Sequence, residues 1–336
     1  MANICITGVC NRACSYCFAG FNVGGAAKEL AYMSWETYLR ALEYALRSGM
    51  DHVRLLGGEP TIHPRFTQMV EEALGRNLSV RVFSNGLMPE RALAALQDAP
   101  AEHIIVLLNV NLLPGTLQPD IEPQRRVLER LGSRVTVGLN ISQPSYSQPY
   151  PLLGLIRRYG LAPTIRVGIA HPRLGGTNAA LHPRYYPVVG RNLAKFMAAA
   201  KNEGISVGLD CGFVPCMFPE DVQELLRDQQ FGSTACHPIL DILPSGDVIA
   251  CYPLEKVHRV PLGETSGAQE MCELFRRKLG PLRTALLLAE CSGCAAWREH
   301  ACQGGCLAAS LRRMRGNVPG QLARVLREAP VILRSA

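Results

Sequence analysis

Apolar positions in the first two hundred residues follow two periods in turn. Short apolar runs of strand length fall at Ile4–Thr7, His52–Leu56, Leu78–Phe83, His103–Asn109, Arg134–Ile141, Thr164–Ile169 and Ser206–Leu209. Between them lie longer stretches with helical spacing. Ser34 is placed to cap the first helix, with Trp35, Leu39, Leu42 and Leu46 on one stripe and Gly49 as its stop. Further helices are expected over Pro64–Arg76, Pro89–Gln97, Asp120–Leu131, Pro151–Tyr159 and Tyr185–Glu203. Strand followed by helix, about six times over, predicts parallel strands with right-handed crossovers. The fold class is therefore α/β, read as a partial (β/α)6 barrel. An open doubly wound sheet is compatible with the same pattern, although no Gly-x-Gly-x-x-Gly follows the first strand.

Near residue 210 the pattern breaks. Pro and Cys become frequent, and helical periodicity is lost. Ile239–Leu243 and Val248–Cys251 flank Pro244-Ser245-Gly246-Asp247, which reads as a β-hairpin. A helix is expected over about Gln269–Leu288, then a run of cysteine-bearing loops. The expected organisation is a barrel over 1–210, a small cysteine-rich domain over 211–310 and a helical tail over 311–336.

Composition narrows the function. Of 336 residues, 48% are apolar and 19% charged, enough for a large core and too apolar for disorder. No apolar run reaches ~18 residues, so no membrane span is expected. The N-terminus does not read as a signal peptide, which points to the cytoplasm. The net charge of +7 is scattered in short pairs such as Arg125-Arg126, so no nucleic-acid stripe is expected.

The 13 cysteines change the picture most: four precede residue 18 and nine follow residue 210. In a reducing compartment such clusters bind metal or carry redox chemistry more often than disulfides. Cys5 lies within the first strand and reads as a buried packer. Cys10, Cys14 and Cys17 are spaced CxxxCxxC in the loop after that strand. Three thiolates on a four-iron cluster leave one iron open to a small molecule. A structural zinc site is the competing reading, and it would need a fourth ligand nearby.

The stretch CNRACSYCFAG resembles the signature of the radical S-adenosylmethionine superfamily, with Tyr16 in the aromatic slot before the third cysteine. Gly57-Gly58-Glu59-Pro60 and Ser84-Asn85-Gly86 resemble that family's motifs after the second and third strands. The resemblance covers about residues 1–210. It implies that backbone and acid at Gly57, Gly58, Glu59 and Pro60 hold the cofactor's amino group. It also implies cofactor contacts from Ser84 and Asn85, from Asn109 or Asn111 on the ribose, and from Asn140 and Arg166 on sugar or carboxylate. Cys236, Gly246 and Cys251 fit CxxxxxxxxxGxxxxC. With Cys291, Cys294, Cys302 and Cys306 they resemble the SPASM extension, which carries auxiliary [4Fe-4S] clusters. The match departs from the family in the wider Cys294–Cys302 spacing and in the lack of a cysteine after Cys306. By the family's crossed ligation, Cys216, Cys236, Cys251 and Cys306 are expected on the first auxiliary cluster. Cys291, Cys294 and Cys302 are expected on the second, with Cys211 and Cys272 in reserve. A zinc ribbon is the alternative there.

The resemblance implies an enzyme that cleaves S-adenosylmethionine to a 5′-deoxyadenosyl radical and then oxidises, cross-links or otherwise modifies a substrate. A peptide is favoured over a sugar or alcohol, and a multi-cluster electron carrier is a remote alternative. The implied partners are the substrate, a reductant such as flavodoxin or ferredoxin, and a separate leader-peptide-binding protein, since the cluster motif begins at residue 10. Asp210, Glu220 and Asp247 are loop carboxylates, and no catalytic acid or base is assigned.

Overall fold

Seven parallel strands lie side by side in chain order: β1 (Asn3–Thr7), β2 (His52–Gly57), β3 (Ser79–Ser84), β4 (Ile104–Asn109), β5 (Val135–Ile141), β6 (Thr164–Ile169) and β7 (Ser206–Leu209). The computed structural model describes residues 3–19, 31–111, 119–174, 177–222, 236–285 and 291–313. Six helices connect the strands: α1 (Trp35–Arg47), α2 (Phe66–Gly75), α3 (Glu90–Asp98), α4 (Arg125–Leu131), α5 (Pro151–Tyr159) and α6 (Tyr186–Asn202). A doubly wound sheet reverses its strand order at a switch point. This order never reverses, so the fold is the partial barrel.

The hairpin expected after residue 238 forms, as β8 (Asp241–Ile242) and β9 (Asp247–Ile249), and gains an antiparallel third strand, β10 (Arg259–Pro261). β8 pairs in parallel with β1, Asn3 opposite Asp241 and Ile4 opposite Ile242. The cysteine-rich region therefore continues the barrel's own sheet, in the order β10-β9-β8-β1-β2-β3-β4-β5-β6-β7. One hydrophobic cluster runs from Ile4 through Phe275 on α7 (Ala268–Ala285) to Ala308 on α9 (Leu307–Arg313). Between them α8 (Ala295–Arg298) is a single turn inside the cysteine loops. Residues 286–288 of the expected helix, Gly175-Gly176 and the tail beyond 313 lie outside the described residues.

Ser34 caps α1 as expected, its hydroxyl accepting from the Thr37 amide at 3.1 Å. The buried face differs from the expected stripe: Tyr38, Ala41, Leu42, Tyr44 and Ala45 pack inward while Leu46 is 40% exposed. Tyr38 achieves full burial by donating its hydroxyl to the Met69 carbonyl at 2.6 Å.

The long helix α6 is seated by one glycine. A Cβ at Gly190 would lie 1.7 Å from the Met217 carbonyl oxygen, so the helix rests directly on the 3-10 turn Pro215–Met217. Gly190→Ala should lower unfolding stability by about 1–3 kcal/mol, the range for overpacking. At Gly154 in α5 the nearest atom to an added Cβ is the Arg157 Nη2 at 4.0 Å. Gly154→Ala should therefore raise stability by about 0.5–1 kcal/mol. Denaturant unfolding of the two variants checks both signs.

Candidate functional site

Two glycines bring the loops after β1 and β2 together. A Cβ at Gly57 (φ +152°) would lie 2.1 Å from the Thr7 carbonyl oxygen, and one at Gly58 2.1 Å from that of Val9. In their absence Gly58 N–H donates to Thr7 O and Glu59 N–H to Val9 O, each at 2.8 Å. The pairing continues past the strand ends into the loop that carries Cys10, Cys14 and Cys17.

At these C-terminal strand ends lies a cavity of about 260 Å³. Cys10, Cys14, Tyr16 and Cys17 line one wall, with Gly57, Gly58, Ser84, Asn85, Asn109, Asn111, Asn140 and Arg166 around it. Donors face the thiols. Asn85 Nδ2 lies 3.7 Å from Cys10 Sγ, Asn111 Nδ2 3.8 Å from Cys14 Sγ, and the Arg12 amide 3.4 Å from Cys10 Sγ. Hydrogen bonds of this kind favour the charged form of an acceptor. Burial and the neighbouring charges of Glu59, Cys14 and Cys17 push the other way and hold the Cys10 thiol up. A bound cation reverses that balance. Tyr16 donates its hydroxyl to Asn111 Oδ1, and burial pushes the phenol further up. Asn140 Nδ2 approaches Asn109 Oδ1 at 3.5 Å, which fixes two of the expected polar contacts against each other.

Glu59 and Pro60 do not line this cavity. Both are buried, and Glu59 is fully so. Its Oε1 accepts from Thr61 Oγ1 at 2.6 Å, Ser84 Oγ at 2.8 Å and the Thr61 amide at 3.3 Å, and its Oε2 from the Asn85 amide at 2.7 Å. The carboxylate fastens the turn after β3, and burial pushes its pKa up against those bonds.

Gln124 does the same from the far side. Fully buried, its Nε2 donates to the carbonyls of Asn85 at 2.7 Å and Asn109 at 2.9 Å, joining the turns after β3 and β4. Sequence reasoning missed it, because a glutamine at the start of an amphipathic helix carries no distinguishing signal.

The cysteine-rich region also contributes: Cys211, Cys236, Cys251 and Cys306 line the same cavity. Cys216, Cys291, Cys294 and Cys302 do not. The resemblance implies Cys216 in that group; of the two, Cys211 lines the cavity and Cys216 does not. Burial, then Cys236, Cys306, Asp241 and Cys211, drive the Cys251 thiol well up. Among the described residues no three His, Cys, Asp or Glu side chains converge as one metal ion requires. Tetrahedral zinc at ~2.3 Å from each sulfur would set the thiols ~3.8 Å apart. A four-iron cluster would instead spread its thiolates over separate irons. Cys5 packs with Leu243, Ile249 and Tyr252, and burial pushes its thiol up to about 12.

Charged groups complete the floor. Arg166 is paired with Asp210, the loop carboxylate singled out in the sequence, and stacks 5.4 Å from the Phe83 ring centroid. Arg54 lies 5.8 Å from the same ring. Burial, with Arg81 and Arg166 nearby, lowers its pKa to about 10. His171 Nε2 lies 3.2 Å from the Cys211 carbonyl oxygen and 3.6 Å from its Sγ. Asp241 is buried, its Oδ1 accepting from Asn3 Nδ2 at 2.6 Å and its Oδ2 from the Tyr252 amide at 3.1 Å. Burial raises its pKa to about 7, with Asp210 adding to and Arg54 opposing the shift.

Residues 4–113 match the sequence profile of the Radical SAM superfamily. The chain is 24% identical over 329 residues to mycofactocin maturase MftC of Mycobacterium ulcerans, covering 92% of this chain and 84% of that protein. It is 26% identical over 333 residues to the protein of the same name from Mycobacterium tuberculosis, covering 92% and 79%. Streptococcus suis SuiB, bound to S-adenosylmethionine, has a similar fold, with TM-score 0.68 and 16% identity over 94% of this chain and 74% of that one. The same protein is also solved bound to its precursor peptide SuiA. anSMEcpe with bound AdoMet matches with TM-score 0.62 and 16% identity over 97% and 94%. Among the described residues no helix is long and apolar enough to cross a membrane.

Two expectations follow. In Glu59→Gln the amide nitrogen must face either the Asn85 amide or the Thr61 and Ser84 donors. Unfolding stability should fall by about 1–3 kcal/mol, the cost of a buried donor left unmatched. Asp241 binds a proton in the native state between about pH 4 and pH 7 that the unfolded chain releases. Its contribution to stability should therefore fall as pH rises through that window, by on the order of 4 kcal/mol, and level off above it. Asp241→Asn, matched by a flip of the Asn3 amide whose Oδ1 lacks a partner, should flatten that slope in denaturant unfolding. An unchanged slope would show that Asp241 is ionised throughout.

Proposed function

We propose that this chain, whose residues 4–113 are a Radical SAM domain, cleaves S-adenosylmethionine reductively and uses the product to modify a peptide. The observation that carries the reading is the cavity, lined by the three-thiol loop and by four further thiols. The full-length similarity to a maturase, and structural neighbours solved with peptides, support a peptide over a sugar or alcohol.

Cys10, Cys14 and Cys17 would hold the four-iron cluster, with Asn85, Asn111 and the Arg12 amide donating to its thiolates. That cluster with S-adenosylmethionine supplies one-electron cleavage and hydrogen abstraction from an unactivated carbon. Gly57 and Gly58 offer backbone at the cavity wall. Asn109, Asn140 and Arg166 are the groups for the cofactor's sugar and carboxylate, and Ser84, Asn85, Asn111 and Tyr16 frame them. Glu59 and Pro60 act behind this surface, holding the Ser84–Gly86 turn in place. Phe83, Leu56 and Ile169 line the cavity and would keep water from the reacting carbon, which suppresses quenching. Auxiliary [4Fe-4S] clusters on the C-terminal cysteines would accept or pass the substrate's electron. A flavodoxin or ferredoxin would deliver the first electron, a separate protein would present a leader peptide, and the cytoplasm would keep the thiols reduced.

Anaerobic protein, reduced and given S-adenosylmethionine, should release 5′-deoxyadenosine. Cys10→Ala, Cys14→Ala and Cys17→Ala combined should reduce release to background, and continued cleavage by the triple variant would refute the site. A short peptide encoded beside this gene should raise deoxyadenosine release and change in mass. The same response to a sugar alcohol, and none to the peptide, would move the substrate to the small-molecule class.

A further inference from the structure

Nine cysteines follow residue 210. One stands apart: Cys272 lies on α7 with its sulfur no closer than 4.0 Å to the Pro238 carbonyl oxygen, and Arg276 and Glu273 are its charged neighbours. The other eight divide by position. Cys211, Cys236, Cys251 and Cys306 line the central cavity. Cys216, Cys291, Cys294 and Cys302 lie off it, behind the wall.

The turn that carries Cys216 packs beside the Cys302–Cys306 loop. It sits in the turn Pro215–Met217, closed by Met217 N–H to Val214 O and Phe218 N–H to Pro215 O, each at 3.0 Å. Gly190 of α6 presses on the Met217 carbonyl and fixes the turn from one side. On the other, a Cβ at Gly305 would lie 3.3 Å from Val214 Cγ1, so the Cys302–Cys306 loop rests two residues from Cys216. That loop is ordered by Gly304 N–H approaching Cys302 Sγ at 3.3 Å and by Cys302 N–H donating to Ala296 O at 3.0 Å. Cys294 N–H donates to Cys291 O at 3.1 Å and closes the remaining pair into one turn. Burial raises the Cys216 thiol most, and Cys302, Cys291 and Cys294 are the thiols near enough to add to it.

We propose that Cys216 is the fourth thiolate of a cluster held by Cys291, Cys294 and Cys302, and that Cys211 takes its place with Cys236, Cys251 and Cys306. The proposal rests on the auxiliary-cluster reading given above. Both auxiliary clusters are then closed by protein thiolates, and neither offers an open iron to substrate. The cluster on Cys10, Cys14 and Cys17 alone keeps one.

Iron counting with pairs of variants tests the partition. The wild-type chain should hold about twelve irons, three cubanes of four. Cys216→Ala and Cys302→Ala should each remove about four, and combined still about four, because they empty one site. Cys216→Ala with Cys251→Ala should remove about eight, and Cys211→Ala with Cys251→Ala about four. Cys272→Ala should remove none. The reverse pairing, with Cys216 non-additive with Cys251, would overturn the partition, as would iron loss on Cys272→Ala. A second measurement needs no variant. Cys216 is exposed, so a metal that it ligates would shield it from alkylation in the native protein. It should resist iodoacetamide until the iron is chelated, while Cys272 reacts throughout. Alkylation of Cys216 in protein holding about twelve irons would refute its role. Zinc, or about four irons in the wild type, would instead refute the auxiliary-cluster reading itself and the partition with it.

Discussion

The missing side chains of Gly57 and Gly58 set the geometry of everything at the mouth of this barrel. Any Cβ there would collide with the Thr7 and Val9 carbonyls. Because none is present, β1 and β2 stay hydrogen-bonded beyond their ends, and the loop that follows β1 leaves the sheet in one direction only. That direction turns three cysteines toward the cavity. This backbone constraint acts together with side-chain contacts such as Asn85 to Cys10 and Asn111 to Cys14.

The polar groups behind the wall then lock the neighbouring turns. Glu59 and Gln124 are both fully buried, and each binds the turn after β3. Through Asn85 that turn presents an amide to Cys10, and Gln124 carries the same fixation to the end of β4. Two buried residues that never touch the cavity thus set the position of groups that do. Desolvating a carboxylate is costly, and four donors on one side chain are what make it tolerable here.

The strands and their order were readable because each is a short apolar run followed by helical spacing, and chain-order pairing of parallel strands fixes the topology. The cysteine motifs were readable because thiols at short spacing are rare without a ligand. The inward face of α1 was not, since Tyr38 and Tyr44 look amphipathic in sequence and are buried only because tertiary partners surround them. The partners of Glu59 were hidden for a related reason: a carboxylate beside a glycine pair gives no sign of which way it points until Thr61, Ser84 and Asn85 are placed around it. The grouping of Cys211 and Cys216 was equally hidden. It depends on Gly190 and Gly305 closing around the Pro215–Met217 turn, through contacts of Gly190 with Met217 and of Gly305 with Val214. The split at residue 210 was visible as a change of composition, yet β8 crosses it to pair with β1.

The central claim is that one open iron, at the loop after β1, meets S-adenosylmethionine inside this cavity. Electron paramagnetic resonance of the reduced protein, with and without S-adenosylmethionine, tests it directly. The account predicts that the cofactor shifts one cluster signal, that this signal is missing from Cys10→Ala, and that the remaining signals are unmoved. A cofactor-induced shift that survives in Cys10→Ala, or no shift in the wild type, would contradict it.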